Sequence, residues 1–235
     1  MPATGLYIGA GLQHNSGDVN FRSQSNFVLG LVGSEFESAD ISATGWSGTG
    51  YLGWGFPLQN QFYLGVEAQG ATTDQEGSYH INSFFHDGPT QILSFNARIK
   101  YSDNYGIFLR PGYYVTPKCL LFLKSGYMNS GFEVAAVPGE LGAIVPSLDA
   151  AEKSRRAGAY VVGGGVDFGL FRRVSGRVEY DFVRYSEIDT HSLITFLIPG
   201  TAAERVTAMT QNEFSPKNNI ITVGLTYSFG YCYQT

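Results

Sequence analysis

The chain has 235 residues and a formal net charge of -5, so it offers no basic surface of the kind that nucleic acid requires. Glycine (30 residues) and aromatics (14%) are abundant, while charged residues at 15% fall well below the roughly 25% of ordinary soluble domains. A mean hydropathy of -0.06, with no apolar run near the roughly 18 to 20 residues that a spanning helix needs, excludes a helical membrane protein. What is left is a β protein, either soluble or of the closed-barrel kind that can cross a bilayer.

The opening stretch MPATGLYIGAG lacks a basic n-region and enters alternating sequence at once, so no signal peptide is predicted and a mature chain behind a start Met is expected. Period-2 alternation then predicts eight strands. The first, about Thr4 to Asn15, sets Leu6, Ile8 and Leu12 on one face and Tyr7, Gly9 and Gln13 on the other. The second, about Thr44 to Phe56, opposes Trp46, Leu52, Trp54 and Phe56 to Ser47, Thr49 and Tyr51. After a tight PLQN link, Phe62, Leu64 and Val66 oppose Glu67 and Gln69 in the third. The fourth passes through Ile107, Leu109 and Tyr113, and TPK turns it into the fifth, with Leu121, Leu123 and Tyr127 against Phe122 and Lys124. Strand six sets Tyr160, Val162 and Phe168 against Val161 and Asp167. Strand seven alternates Val178, Tyr180, Phe182 with Arg177, Glu179, Asp181, and the last, about Asn219 to Phe229, carries Ile221, Val223, Leu225, Tyr227 and Phe229 on its apolar face.

Long connections at about Ser16 to Ala43, Gln75 to Gln91, Gly131 to Arg156 and Glu187 to Lys217 alternate with three short ones. In an even-stranded meander every short turn then falls at one end and every long loop at the other, the asymmetry of outer-membrane barrels. Alternation persisting through about Tyr79 and from about Leu93 predicts a hairpin that projects beyond a membrane. Which face points outward is decided by the less apolar one. A soluble barrel would coat its exterior with Lys and Glu, yet that face holds mostly Gly, Ser, Thr and Ala, which suit a narrow lumen. Aromatics at the short-turn end, Trp54, Phe56, Phe62, Tyr63, Tyr113, Tyr114, Phe122, Phe168 and Phe171, are expected to form a girdle at headgroup level.

The few charges on the inward face are near-balanced, Glu67, Asp167, Glu179 and Asp181 against Arg110, Lys124 and Arg177. Glu67, Arg110, Lys124 and Glu179 lie at similar distances from short turns and are expected to share one layer and to pair, since an isolated buried ion costs several kcal/mol. The layer is either an ion gate in a narrow pore or a satisfied polar core. An eight-stranded barrel has room inside only for its own side chains, and Tyr7, Tyr51, Phe108, Tyr114 and Phe122 pointing inward would leave little space for water, which argues against bulk porin activity.

At the C-terminal end TVGLTYSF, Thr222 to Phe229, resembles the insertion signal of bacterial outer-membrane barrels, with Gly224, Tyr227 and Phe229 where that pattern places them; the tail Gly230 to Thr235 is a departure from it. The whole chain, and the hairpin YGIFLRPGYYVTPKCLLFLKSGY in particular, resembles the small OmpA-like and OmpX-like outer-membrane β-barrel family, without a peptidoglycan-binding domain after the barrel. That resemblance implies one outer-membrane barrel domain over residues 1–235, insertion by the barrel assembly machinery, contact with outer-membrane lipid and lipopolysaccharide, and roles from envelope integrity to adhesion. Fold-level analogy does not fix function.

External function belongs in the loops. Two stretches are oddly apolar, NFVLGLVG with Phe27, Leu29 and Leu31, and SLITFLIPG with Ile194, Phe196 and Leu197; they are read either as a contact surface for a host or cell-surface ligand or as segments packed on one another. Asp189, His191 and Ser192 lie too close in sequence to indicate a triad, and His14, His80 and His86 match no metal-ligand spacing. No catalytic residue and no cofactor is predicted. Cys119 and Cys232 are expected to be free thiols, because their strands lie apart around the barrel. The expectation is an eight-stranded antiparallel transmembrane β-barrel, non-enzymatic and structural or adhesive, with a narrow channel or a soluble hydrophobic-ligand barrel as the competing functions.

Overall fold

The computed structural model describes residues 2–29, 31–84, 92–138, 153–197 and 205–229. Ten strand segments run in chain order: β1 (Gly5–Leu29), β2 (Leu31–Pro57), β3 (Phe62–Thr73), β4 (Glu76–Phe84), β5 (Ile92–Thr116), β6 (Cys119–Pro138), β7 (Lys153–Gly169), β8 (Val174–Tyr185), β9 (Ile188–Leu197) and β10 (Arg205–Ser228), with a single 3-10 turn at Gln59–Gln61. They make eight staves. β3 and β4 are one stave broken at Asp74 and Gln75, since both pair with β2 and with β5; β8 and β9 are another, broken at Ser186 and Glu187, since both pair with β10. Every pairing is antiparallel, and β1 closes the ring by pairing with β2 on one side and β10 on the other.

The faces fall as the alternation predicts. Ile8, Leu52, Leu109, Leu123, Val162, Tyr180 and Leu225 are exposed, while Tyr7, Gln13, Glu67, Arg110, Lys124, Asp167, Arg177 and Thr226 are buried. On β5 the outward apolar run from Tyr105 to Val115 matches the roughly 9 to 11 residues with which a tilted strand crosses a hydrocarbon core. Apolar groups on the outside and polar groups on the axis are the reverse of a soluble barrel.

Two expectations are corrected. Tyr63 does not belong to the girdle but points into the lumen, and of the two readings of Tyr114 and Phe122 the inward one holds; the three are 2%, 3% and 4% exposed. The ring at that end is carried by Trp54, Phe56, Phe62, Tyr113, Phe168 and Phe171, and a second ring, Trp46, Tyr105, Tyr127 and Tyr160, marks the opposite edge of the apolar band. The long connections, too, are largely not loops. β1 and β2 run 25 and 27 residues and stay in register to Leu29↔Leu31, and β4, the upper parts of β5, β6, β7 and β10, and β9 occupy most of the rest.

The reason is a change of polarity without a change of period. From Leu6 to Arg22 the even-numbered residues of β1 face out, but Leu6, Ile8 and Leu12 give way to Asp18, Asn20 and Arg22, while the inward odd positions change from Tyr7 and Gln13 to Val19 and Phe21. Beyond the apolar band the staves divide into two four-stranded sheets, β9-β10-β1-β2 and β4-β5-β6-β7, and the ladder between β2 and β4 is the single pair Thr44↔Glu76. Their inner faces share an apolar core that includes Val19, Phe21, Ile41, Phe214 and Ile188 from one side and Ile99, Tyr101, Phe132 and Ala157 from the other. The edge-to-face and tilted contacts Tyr101–Phe132 (4.8 Å) and Phe132–Tyr185 (5.1 Å) tighten it.

The opposite mouth is closed by the chain itself. Residues 2–4 fold under the barrel, with Ala3 fully buried in a left-handed conformation (φ 54°). The hydroxyls of Tyr63 and Tyr114 donate to the carbonyls of Ala3 (3.2 Å) and Pro2 (2.9 Å), so the inward tyrosines are there to hold this segment.

Candidate functional site

The predicted charge layer exists. β3 supplies Glu67, β5 Arg110, β6 Lys124, β7 Asp167 and β8 Arg177, Glu179 and Asp181, each from an inward position and each at most 2% exposed. They form two linked groups. In the first, two arginines and two carboxylates close a four-membered ring: Arg110 donates to Glu67 (3.0 Å) and Asp167 (2.9 Å), and Arg177 donates to the same two, at 2.9 Å and 2.8 Å. The Tyr7 hydroxyl donates to Glu67 Oε2 (2.9 Å) and accepts from Arg110 Nη1 (3.0 Å).

In the second group Lys124 Nζ, a compact cation with three protons to place, donates to Glu179 Oε1 (2.6 Å), Asp181 Oδ2 (2.8 Å) and Gln69 Oε1 (2.7 Å). Arg177 and Glu179, 3.9 Å apart, join the groups. Aromatic faces fill the space between the ions: the Arg110 guanidinium lies 3.7 Å from the Phe122 ring centroid, Arg177 lies 4.0 Å from that of Tyr51, and Lys124 Nζ lies 4.2 Å from that of Phe108.

Small residues opposite the layer make the fit feasible. A Cβ on Gly163 would overlap the Asp181 carboxylate, and one on Gly165 would meet Phe122 and the Val178 carbonyl. The GGG run inside β7 is therefore what admits the ions and the ring between them.

Asp167 was read as inward but not as a member of the layer, although it closes the ring. Its signal was present in the register of β7 with β8, where Asp167 lies directly opposite Arg177, but that pairing follows only once the intervening turn is fixed. Tyr7 and Gln69 were legible as inward residues and not as partners.

The other predicted residues fall elsewhere. Gly224 faces the lumen, where a Cβ would crowd the Ala10 carbonyl and the Tyr51 hydroxyl, which donates to the Leu225 carbonyl (3.2 Å). Tyr227 and Phe229 stand together on the outer face with ring centroids 5.0 Å apart. Phe27, Leu29, Leu31, Ile194, Phe196 and Leu197 lie in paired strands of β1, β2 and β9 rather than in loops; their side chains lie outside the described residues. His14 stacks edge-on against Trp46 at 5.0 Å, His86 lies outside the described residues, and the side chains of His80, His191 and Ser192 do as well, while Asp189 is exposed on β9. Cys119 is a free thiol and Cys232 lies outside the described residues.

Beyond the apolar band Arg156 pairs with Asp103 (3.1 Å), and the Arg156 guanidinium also covers Tyr105 at 4.9 Å. Hydrogen bonds from Arg156 hold the Asp103 carboxyl below the usual carboxylate range. This charge pair, seated on a ring of the upper girdle, marks where the outer face turns from apolar to charged. The chain is a closed eight-stranded antiparallel β-barrel with an apolar outer band.

No protein-family model and no curated protein sequence matches it. Among solved structures it is similar to the outer membrane protease OmpT of Escherichia coli (13% identity, 97% of each chain covered, TM-score 0.46) and to Neisserial surface protein A (12%, 97% of this chain and 100% of that one, 0.40). It is also similar to Ail, the attachment invasion locus protein of Yersinia pestis (11%, 87% of this chain and 97% of that one, 0.31). The reading of this barrel as lipid-facing stands on its own outer face.

Proposed function

We propose that the protein is a non-enzymatic envelope component of the outer membrane of a Gram-negative bacterium, structural or adhesive, of the OmpA-like or OmpX-like kind. Its extension above the bilayer carries the external contacts. The observation behind this reading is the inversion of polarity along continuous staves: one end of the barrel is built to be bathed in acyl chains and the other to stand in water as a two-sheet body with its own core. Phospholipid and lipopolysaccharide surround the lower part. Gly224, Tyr227 and Phe229 serve insertion by the barrel assembly machinery, and the apolar stretches around Phe27, Leu29, Leu31, Ile194, Phe196 and Leu197 at the far tips meet a host or cell-surface ligand.

The lumen is a strut rather than a conduit. It is stopped by residues 2–4 at one mouth, by the ion layer in the middle and by the apolar core above. Reconstitution in planar bilayers is expected to give no unitary conductance, and steady single-channel steps would replace this reading with the narrow-channel one. For the external role, deletion of residues 192–200 is expected to lower binding to host cells with heat-modifiable gel migration retained; unchanged binding by that folded variant would remove the adhesive half of the proposal.

A further inference from the structure

At the short-turn end two neighbouring turns are tied together, since the Gly169 amide donates to the Lys118 carbonyl (2.7 Å). A second tie runs from the Ser228 amide to the Arg173 carbonyl (2.9 Å). Between them lies a cavity of about 300 Å³ whose lining includes Lys118, Arg172, Arg173 and Ser175, with Pro2 as one wall and no acidic side chain among the described residues. The three cations are exposed at the rim. Ser175 is different: it is 2% exposed, it lines the cavity, and its hydroxyl has no hydrogen-bond partner. A buried hydroxyl left unpaired forfeits about 1 to 3 kcal/mol, so a hydroxyl in a cavity ringed by cations is poised for an anion with several acceptor oxygens.

We propose that this cavity is a binding site for a phosphate group, carried by a phospholipid of the leaflet at the short-turn end. Arginine and lysine around a hydroxyl donor are the chemistry that phosphate oxygens select. The lipid source follows from the surroundings. Leu170 and Phe171, also in the lining, are 46% and 78% exposed, and Arg173 reaches the hydroxyl of the girdle residue Tyr227 (3.3 Å). The cavity thus opens where acyl chains end and headgroups begin, and the apolar pair offers a seat for the glycerol and first methylenes. The inference rests on the membrane-spanning reading of the barrel.

The test uses the full chain in an alkyl-maltoside micelle, which contains no phosphate, titrated with dihexanoyl-phosphatidylglycerol, with dihexanoylglycerol and with inorganic phosphate while amide resonances of Gly169, Ser175 and Ser228 are followed by NMR. Saturable shifts are expected with the phospholipid and none with the phosphate-free glyceride. Ser175→Ala is expected to weaken binding roughly tenfold, the worth of one hydrogen bond to a charged group, and combined Lys118→Ala, Arg172→Ala, Arg173→Ala more than tenfold. All variants should keep heat-modifiable migration, because Lys118, Arg172 and Arg173 are exposed at the rim and Ser175→Ala removes a hydroxyl that bonds to nothing inside the barrel. Equal shifts from the glyceride, or undiminished affinity in the triple variant, overturn the site; equal affinity for inorganic phosphate overturns the lipid assignment. Loss of heat-modifiable migration by the unsubstituted chain would instead sink the barrel reading, which keeps the two failures apart.

Discussion

The lower and upper parts of this barrel are built from the same staves and obey opposite rules. Below, Leu123 and Ile107 face outward at 68% and 67% exposure, and the axis is packed with ions. Above, Asp18 and Arg22 face outward, and the axis is packed with Phe21, Ile41 and Phe132. Backbone pairing is indifferent to the change, because a ladder satisfies its amides in either solvent. What differs is where side-chain burial is favourable. In water the interior gains from the hydrophobic effect; in hydrocarbon the exterior gains nothing by hiding, and the interior is free to hold charges provided that they compensate one another.

The contrast sharpens under substitution. The largest effect is expected from Arg177→Met, which leaves Glu67 and Asp167 each short of a partner: removing one member of a buried ion pair costs about 3 to 5 kcal/mol. The loss should appear as a lower urea midpoint of the refolded barrel, and a shift under 1 kcal/mol would mean that the ring is not holding the lumen. Next, Leu123→Arg on the lower outer face should cost about 2 to 4 kcal/mol, the price of a cation near the bilayer midplane. Asn20→Arg on the upper outer face should change stability by no more than about 0.5 kcal/mol. Equal costs at the two sites, measured in liposomes, would erase the distinction between the regions.

Below the cost at Leu123 comes that of Tyr7→Phe, which removes one hydrogen bond to Glu67 and one from Arg110 without touching the ion pairs. A loss of about 1.5 to 3 kcal/mol is expected from a hydrogen bond to a charged group, read from the same urea titration. The smallest belongs to the pair at the boundary. The Asp103 carboxyl titrates lower in the folded chain than in the unfolded one, so its contribution is complete above the unfolded value near 4 and disappears as pH falls through the folded value. Being exposed, the pair is worth no more than about 0.2 to 1 kcal/mol. Asp103→Asn should reproduce the acid loss at neutral pH, and a variant with the same pH profile as the parent would show that the pair contributes nothing.

Sequence alone rendered the lower barrel almost residue by residue. On β8 the string Val178 to Phe182 already separates lipid-facing from axial positions, and the register does no more than confirm it. The upper part was illegible for a definable reason. A hydrophobicity pattern crossing from Leu12 to Val19 shifts by one residue, which reads as the end of a strand, although the backbone period runs straight through Ser16 and Gly17. Only the pairing Asp18↔Ser42 and Val19↔Ile41 shows that the solvent changed and not the strand. The ion layer was half legible for a related reason: inward direction follows from parity, whereas partnership, as between Asp167 and Arg110 on strands that are not neighbours, depends on the width and shear of the closed barrel.

The two girdles, with Asp103 and Arg156 seated on one of them, have a mechanical consequence. A thicker bilayer would drown that charge pair along with Asp18 and Arg22, and a thinner one would strand residues beside the girdles, such as Ile107 and Leu121, in water. Immersion depth is therefore fixed by the protein, and hydrophobic mismatch has to be absorbed by stretching or thinning of the surrounding lipid or by tilt of the barrel as a rigid body.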